Sequence, residues 1–138
     1  MPTRKEDGSL RRRFSSTYGR PETKATLLVE REVIGANVGA NGYTTVAQAD
    51  DLAERLALRA GMRLLDIGAG RGWPGLYLAK QTGCDTTVTD LPDAGLRRAV
   101  AAARRQRLQR RCGFVRADAR RLPFRPRTFD AIVHTDVL

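Results

Sequence analysis

Histidine is nearly absent: the 138-residue chain has one, His134. A lone histidine forms no His-x-x-His pair. The two cysteines, Cys84 and Cys112, lie 28 positions apart, which matches no zinc or redox spacing. The expectation is therefore no metal site and two free thiols in a reducing compartment. Long apolar runs are missing as well. The longest, Ala99 to Ala103, is five residues, against the ~20 that a membrane helix needs. No apolar stretch follows the basic N-terminus (Arg4, Lys5, Arg11, Arg12, Arg13). No secretory signal and no membrane partner are expected, and the cytoplasm is the expected compartment.

What is plentiful is arginine. Net charge is +10, and all but three of the 25 basic residues (Lys5, Lys24, Lys80) are arginine. Such a balance raises the question of nucleic acid. However, aromatic residues are only 6% of the chain and do not interleave with the charges as a single-strand binding surface requires. Arginine and alanine abundance together also follow from a GC-rich genome, so nucleic acid is the less favoured partner. With 41% apolar and 29% charged residues, the composition is that of a folded domain.

Residues 1–20 read as a flexible basic arm, with Leu10 and Phe14 as its only sizeable anchors before Tyr18. Residues 21–42 read as a helix and linker: from Pro21 to Ala36, the residues Ala25, Leu28, Val29, Val33 and Ala36 fall on one helical face. Thr45 and Gln48 then have capping-box spacing, and Ala49, Leu52, Ala53, Leu56 and Ala60 recur at helical spacing up to a stop at Gly61. Short apolar strands (Met62–Ile67, Thr86–Thr89, Phe114–Ala117, Phe129–Val133) alternate with helices (Pro74–Gln81, Ala94–Arg110). This alternation predicts an α/β fold with a parallel sheet and right-handed crossovers.

The informative stretch is Leu64-Leu65-Asp66-Ile67-Gly68-Ala69-Gly70-Arg71-Gly72-Trp73-Pro74-Gly75, where the first strand hands over to a helix. Ligands of open parallel sheets bind outside the carboxyl ends of the strands. Two readings compete. Gly70-x-Gly72-x-x-Gly75 satisfies the dinucleotide fingerprint, with Asp90 placed 20 residues after Gly70, which would make this an NAD(P)-binding oxidoreductase. Against it, Asp66 puts a negative charge close to any pyrophosphate, and further acids end the next two strands. Carboxylates at these positions suit a positively charged ligand better than a phosphate, which would need amides and cations.

The ordered set Asp66-x-Gly68-x-Gly70-x-Gly72, Asp90, Asp118 and the Phe129–Asp130 strand resembles the class I S-adenosylmethionine-dependent methyltransferases. The resemblance covers residues 43–138 and implies a Rossmann-like three-layer fold with strand order 3-2-1-4 and N-terminal helices. It implies S-adenosylmethionine as cofactor and a small-molecule methyl acceptor. It also implies roles. Gly68, Ala69, Gly70 and Gly72 would lie under the methionine and ribose, and Asp66 would help anchor the ammonium, directly or through water. Asp90 would accept both ribose hydroxyls, Leu91 would pack on the adenine, and Asp118 would take the adenine amino group with Ala119 beside it. Tyr43 could close over the cofactor from the N-terminal side. His134, just after the fourth strand, is the candidate catalytic residue. The family's sheet is seven-stranded and only four strands are read here, so the expectation is a domain incomplete after the fourth strand, with Asp136-Val137-Leu138 continuing the family pattern.

Overall fold

The computed structural model describes residues 8, 9, 12, 13, 16, 17, 19–40 and 42–135. Four strands, β1 (Arg63–Ile67), β2 (Asp85–Asp90), β3 (Cys112–Arg116) and β4 (Ala131–His134), form one parallel sheet in the order β3-β2-β1-β4. That is the order the resemblance implied. The first strand leads, Leu65 standing opposite Thr87 on one side and Ile132 on the other. Among the described residues, helices α1 (Lys24–Ile34), α2 (Val46–Arg55), α3 (Gly75–Thr82) and α4 (Asp93–Arg105) accompany the sheet.

Period-two alternation decides which strand residues meet the helices. Leu64, Ala131 and Val133 pack with Leu78 of α3 and Leu58, while Val88 and Cys112 pack with Leu76, Ala79, Leu96, Ala99 and Ala103 of α3 and α4. Register places all of these strand residues on one face of the sheet. Among the described residues no helix covers the other face, where Ile132 is exposed. The described residues thus supply two layers of the expected three. The terminal Asp136-Val137-Leu138 lies outside them.

Helix starts follow local chemistry. Thr45 caps α2 through the expected box with Gln48, each satisfying a backbone amide of the other. A second box, Thr23 with Thr26, starts α1 three residues later than Pro21. Two helices stop early. α2 ends at Arg55 because Ala57 takes a left-handed conformation (φ 50°), which turns Leu58 into the core. α4 ends at Arg105 for the same reason: Arg107 has φ 59° and Leu108 is buried.

The face expected to be buried on α1 is the exposed one. Leu28, Val29 and Val33 are 70%, 63% and 52% exposed, and Ile34 is buried against Ala49 and Trp73 instead. The cause is Glu30, whose Oε1 accepts the amides of Val38 (3.0 Å) and Ala40 (2.7 Å) and so turns its own side of the helix inward. Part of the stretch expected as a flexible arm lies among the described residues. The described members 8, 9, 12, 13, 16, 17 and 19 have helical backbone. Arg71 donates to the carbonyls of Thr17 (3.3 Å) and Arg20 (3.1 Å), and Arg98 to that of Gly19 (2.8 Å). The anchors Leu10, Phe14 and Tyr18 lie outside the described residues.

Candidate cofactor-binding site

The glycine loop leaves β1 at Ile67 and folds back at once. Ala69 donates its amide to the Thr89 carbonyl (3.0 Å), Gly72 donates to Ala69 (2.8 Å), and Leu76 donates to Gly72 (2.8 Å). Gly68, Gly70 and Gly72 all take positive φ (70°, 56° and 96°). Gly72 is the most constrained: a Cβ there would lie 2.8 Å from Leu76 Cδ1 and 3.2 Å from Ala99, in a conformation that side chains avoid.

Two carboxylates hold this loop. Asp90, ending β2, accepts the Gly70 amide at Oδ2 (2.6 Å) and the Leu91 amide at Oδ1 (2.7 Å). Burial raises its pKa from 3.8, against the lowering by those two amides. Each oxygen keeps a further lone pair, and the group is only half-buried, so it can accept more bonds. Asp66 is different. It is fully buried, and its Oδ2 accepts the Gly75 amide at the start of α3 (2.8 Å) while Oδ1 has no partner. Burial raises its pKa well above 3.8, offset in part by Gly75 and reinforced by the nearby charge of Asp90.

The resemblance implied that Asp66 anchors a ligand ammonium directly or through water; in this structure its carboxylate is 0% exposed and bonded to the Gly75 amide. Its Oδ1 is orphaned, and burial together with the nearby Asp90 charge favours the neutral form of the carboxyl. The linkage has a definite sign. A carboxyl whose folded pKa is raised stabilises the fold fully below its unfolded value of 3.8 and loses that contribution as pH rises through the folded value. Asp66→Asn cannot ionise. Melting curves across pH are expected to match the wild type below 3.8 and to lie increasingly above it toward neutrality. Parallel curves at all pH values would show that Asp66 is not the group responsible.

Of the other sequence-selected residues, Leu91, Asp118, Ala119 and His134 lie at or just after strand ends on one edge of the sheet, and Tyr43 precedes α2. Leu91 is half-buried after β2, and its carbonyl accepts Arg116 Nε (3.0 Å). Asp118 follows β3 and is engaged by Arg120, with Nη2 2.7 Å from Oδ2, so an adenine amino group would have to share it; Ala119 is exposed. His134 ends β4 opposite Ile67, exposed, in line with Ile132 on the helix-free face. Tyr43 is 81% exposed. It is placed by Thr44, whose carbonyl accepts the buried Trp73 indole N–H (2.9 Å) beside the glycine loop. Tyr77 stacks at a tilt on Trp73 (5.2 Å) and donates to Asp50 (2.7 Å). Among the described residues no group of three His, Cys, Asp or Glu side chains could hold a metal.

Gly75, the third glycine of the disfavoured dinucleotide fingerprint, has a partner that the sequence did not show. Its amide is the helix-start donor that a dinucleotide pyrophosphate would use, and Asp66 already occupies it. The third glycine of the fingerprint was the available signal, but it answers a carboxylate, not a phosphate.

A methyltransferase-domain family model matches residues 64–138, more than half of the chain. The chain belongs to the class I S-adenosylmethionine-dependent methyltransferases. Among curated relatives, the sterol 24-C-methyltransferase of Candida albicans is 31% identical over 93 residues, covering 63% of this chain and 25% of that protein. The 27-O-demethylrifamycin SV methyltransferase of Amycolatopsis mediterranei is 36% identical over 88 residues, covering 64% and 32%. This methyltransferase chain therefore spans about a quarter to a third of the length of those relatives. Among solved structures, the cyclase SpnF superposes over 95% of this chain and 48% of its own, with TM-score 0.65 and 29% identity. An S-adenosylmethionine-dependent methyltransferase of Methanococcus maripaludis, described as putative, covers 64% and 40% with TM-score 0.61 and 25% identity. Among the described residues no helix is long and apolar enough to cross a membrane.

Proposed function

We propose that this chain binds S-adenosylmethionine at the tips of β1, β2 and β3, and that the protein transfers its methyl group to a small-molecule acceptor. The observation that carries the reading is Asp90: a half-buried carboxylate fixed by two backbone amides, with lone pairs left for the two hydroxyls of a ribose. Charge-assisted bonds of this kind are stronger than neutral ones. The donor set also fits a cation. The half-buried Asp90 carboxylate disfavours a phosphate and favours a ligand carrying positive charge.

When bound, the cofactor supplies a methyl group on a sulfonium that leaves as a neutral thioether, so no protein acid is required. The residues of this chain bind and orient. The loop from Gly68 to Gly72 gives a surface without side chains on which the ligand rests, Leu91 packs on the base, and Asp118 accepts from it. Tyr43, placed by the Trp73–Thr44 bond, excludes water from above. Where the acceptor must lose a proton, His134 is the base at the β4 tip. A small-molecule acceptor is supported by the names of the relatives, which specify a sterol and a rifamycin.

Calorimetry with S-adenosylhomocysteine, NAD and an RNA oligonucleotide tests the reading. The first is expected to bind and NAD is not; NAD binding in the absence of S-adenosylhomocysteine binding would overturn it. The likeness to SpnF favours a second reading, in which the same cofactor fold supports a cyclisation. Binding without transfer of a labelled methyl group is the outcome that reading expects.

A further inference from the structure

We infer that the end of the sheet where its strands begin, opposite the cofactor site, docks on the phosphate backbone of a double-stranded nucleic acid. Charge is unevenly divided along the chain. Residues 1–95 carry thirteen basic and twelve acidic side chains, whereas residues 96–138 carry twelve and three, so nearly all of the +10 excess falls in the second stretch. A codon bias that enriches arginine throughout does not produce such a division. The densest part is the link from α4 to β3, where Arg104, Arg105, Arg107, Arg110 and Arg111 share eight positions with no acid between them.

The fold exposes this run and gathers it at one place. Leu108 is buried and Arg107 takes a left-handed conformation (φ 59°), so the link is a tight turn pinned from inside, and all five arginines are exposed. Arg111 fixes the turn to the sheet: its carbonyl accepts the Thr86 amide at the start of β2 (2.8 Å), and its Nη1 donates to the Gly83 carbonyl (2.5 Å). The crossover to β4 returns to the same end, where Asp130 donates its amide to the Arg63 carbonyl (2.8 Å) and the exposed Arg127 stands three residues before it. The glycine loop leaves the other end of β1, roughly 13 Å away by strand rise.

These charges are not neutralised within the described fold. None of the five arginines has a carboxylate within ion-pair distance among the described residues. The acids at this end, Asp85 and Asp130, are exposed, and Asp130 Oδ2 already accepts the Arg63 amide (2.7 Å). Arg104 and Arg105 lie in the last turn of α4, where the helix dipole favours a cation, but Arg107, Arg110 and Arg111 lie beyond the helix. Like charges crowded on one turn repel one another, and a row of phosphates relieves them, because each guanidinium fork matches a phosphate. A duplex fits better than a single strand. Phe114, Phe124 and Phe129, the aromatic residues after α4, are half-buried, and the last two stack on each other (5.0 Å), which leaves no platform for unpaired bases. A duplex also fits better than a membrane, which takes up apolar side chains: the large exposed ones, Leu28, Val29, Val33, Tyr43 and Ile132, all lie outside this turn. Composition made nucleic acid the less favoured partner; position reverses the balance for this end of the fold, where the duplex is a docking partner and not the methyl acceptor.

Fluorescence anisotropy of the full chain with short labelled DNA and RNA duplexes tests the inference. Saturable binding is expected at ~50 mM salt, with log affinity falling against log salt at a slope of about 4–5, five phosphates at roughly 0.9 each. Arg107→Glu combined with Arg110→Glu is expected to weaken binding by about a hundredfold and to lower that slope by about two. The corresponding Lys pair keeps the charge and should retain most of the affinity; the Gln pair carries the same test, at about tenfold, if the Glu pair does not fold. Arg12→Glu with Arg13→Glu makes the same change of charge on the segment whose Gly19 carbonyl binds Arg98, in the first half of α4, and should cost about threefold at most. Binding of either duplex with this pattern supports the inference, and the tighter of the two names the partner. Equal losses from the two reversals would put total charge in place of the turn and overturn it. So would failure of both duplexes to saturate, or tighter binding to phosphatidylserine-containing phosphatidylcholine vesicles. Displacement of the duplex by S-adenosylhomocysteine would move it to the strand tips and overturn the inference as well.

Discussion

Alanine at Gly75 is expected to lower the melting temperature by about 10–20 °C, on the order of 3–5 kcal/mol for a chain of this size. The added methyl would lie 2.5 Å from Asp66 Oδ2, 3.1 Å from its Cβ and 3.2 Å from its Cγ. These atoms cannot retreat, because Asp66 is fully buried and its Oδ2 is bonded to the Gly75 amide. Moving α3 away instead breaks the Gly75 N–H···Oδ2 bond and leaves a buried carboxylate with no partner, the costlier outcome. A double-mutant cycle isolates the cause. Asp66→Ala makes room for the methyl, so Gly75→Ala should be far less harmful in that background than in the wild type. Circular-dichroism melts of the four proteins check this; equal losses in both backgrounds would mean that the helix start, and not the carboxylate, sets the cost.

The Asp66–Gly75 contact also marks where sequence reasoning stops. Elements whose information is local were legible: the Thr45–Gln48 cap, the four strands, and the hand-over from strand to glycine loop all follow from neighbouring residues. Sheet order came with the family resemblance, and the register of β1 between β2 and β4 agrees with it. What was not legible depends on a partner distant in sequence or hidden in a side chain's direction. The spacing of Leu28, Val29 and Val33 describes an apolar stripe correctly but cannot say which way it faces. Glu30, by binding Val38 and Ala40, decides that. The arginine-rich end of α4 has good helix propensity through Arg110, yet burying Leu108 ends the helix at Arg105. Likewise an acid before a glycine motif reads as a ligand group, and only the fold reveals that Asp66 is committed to an amide nine residues later.

Asp90→Ala is expected to weaken S-adenosylhomocysteine binding by about 10²–10⁴-fold, the equivalent of two hydrogen bonds to a charged acceptor at roughly 1.5–3 kcal/mol each. Two effects act together. The acceptor for the ribose hydroxyls disappears, and the Gly70 amide, now held at 2.6 Å, loses the bond that sets the loop's shape. Stability should change much less than affinity. Asp90 is held in the folded chain against an unfavourable burial that raises its pKa, and removing it relieves that cost while the Leu91 and Gly70 amides gain access to water. Asp90→Asn separates charge from geometry: one carbonyl oxygen remains to accept, the charge does not, and an intermediate loss of about tenfold is expected. Calorimetry and melting curves on both variants read affinity and stability independently. If affinity fell only in step with melting temperature, Asp90 would be a loop clamp and nothing more. Full affinity in a folded Asp90→Ala protein would remove the β2 tip from the cofactor site altogether.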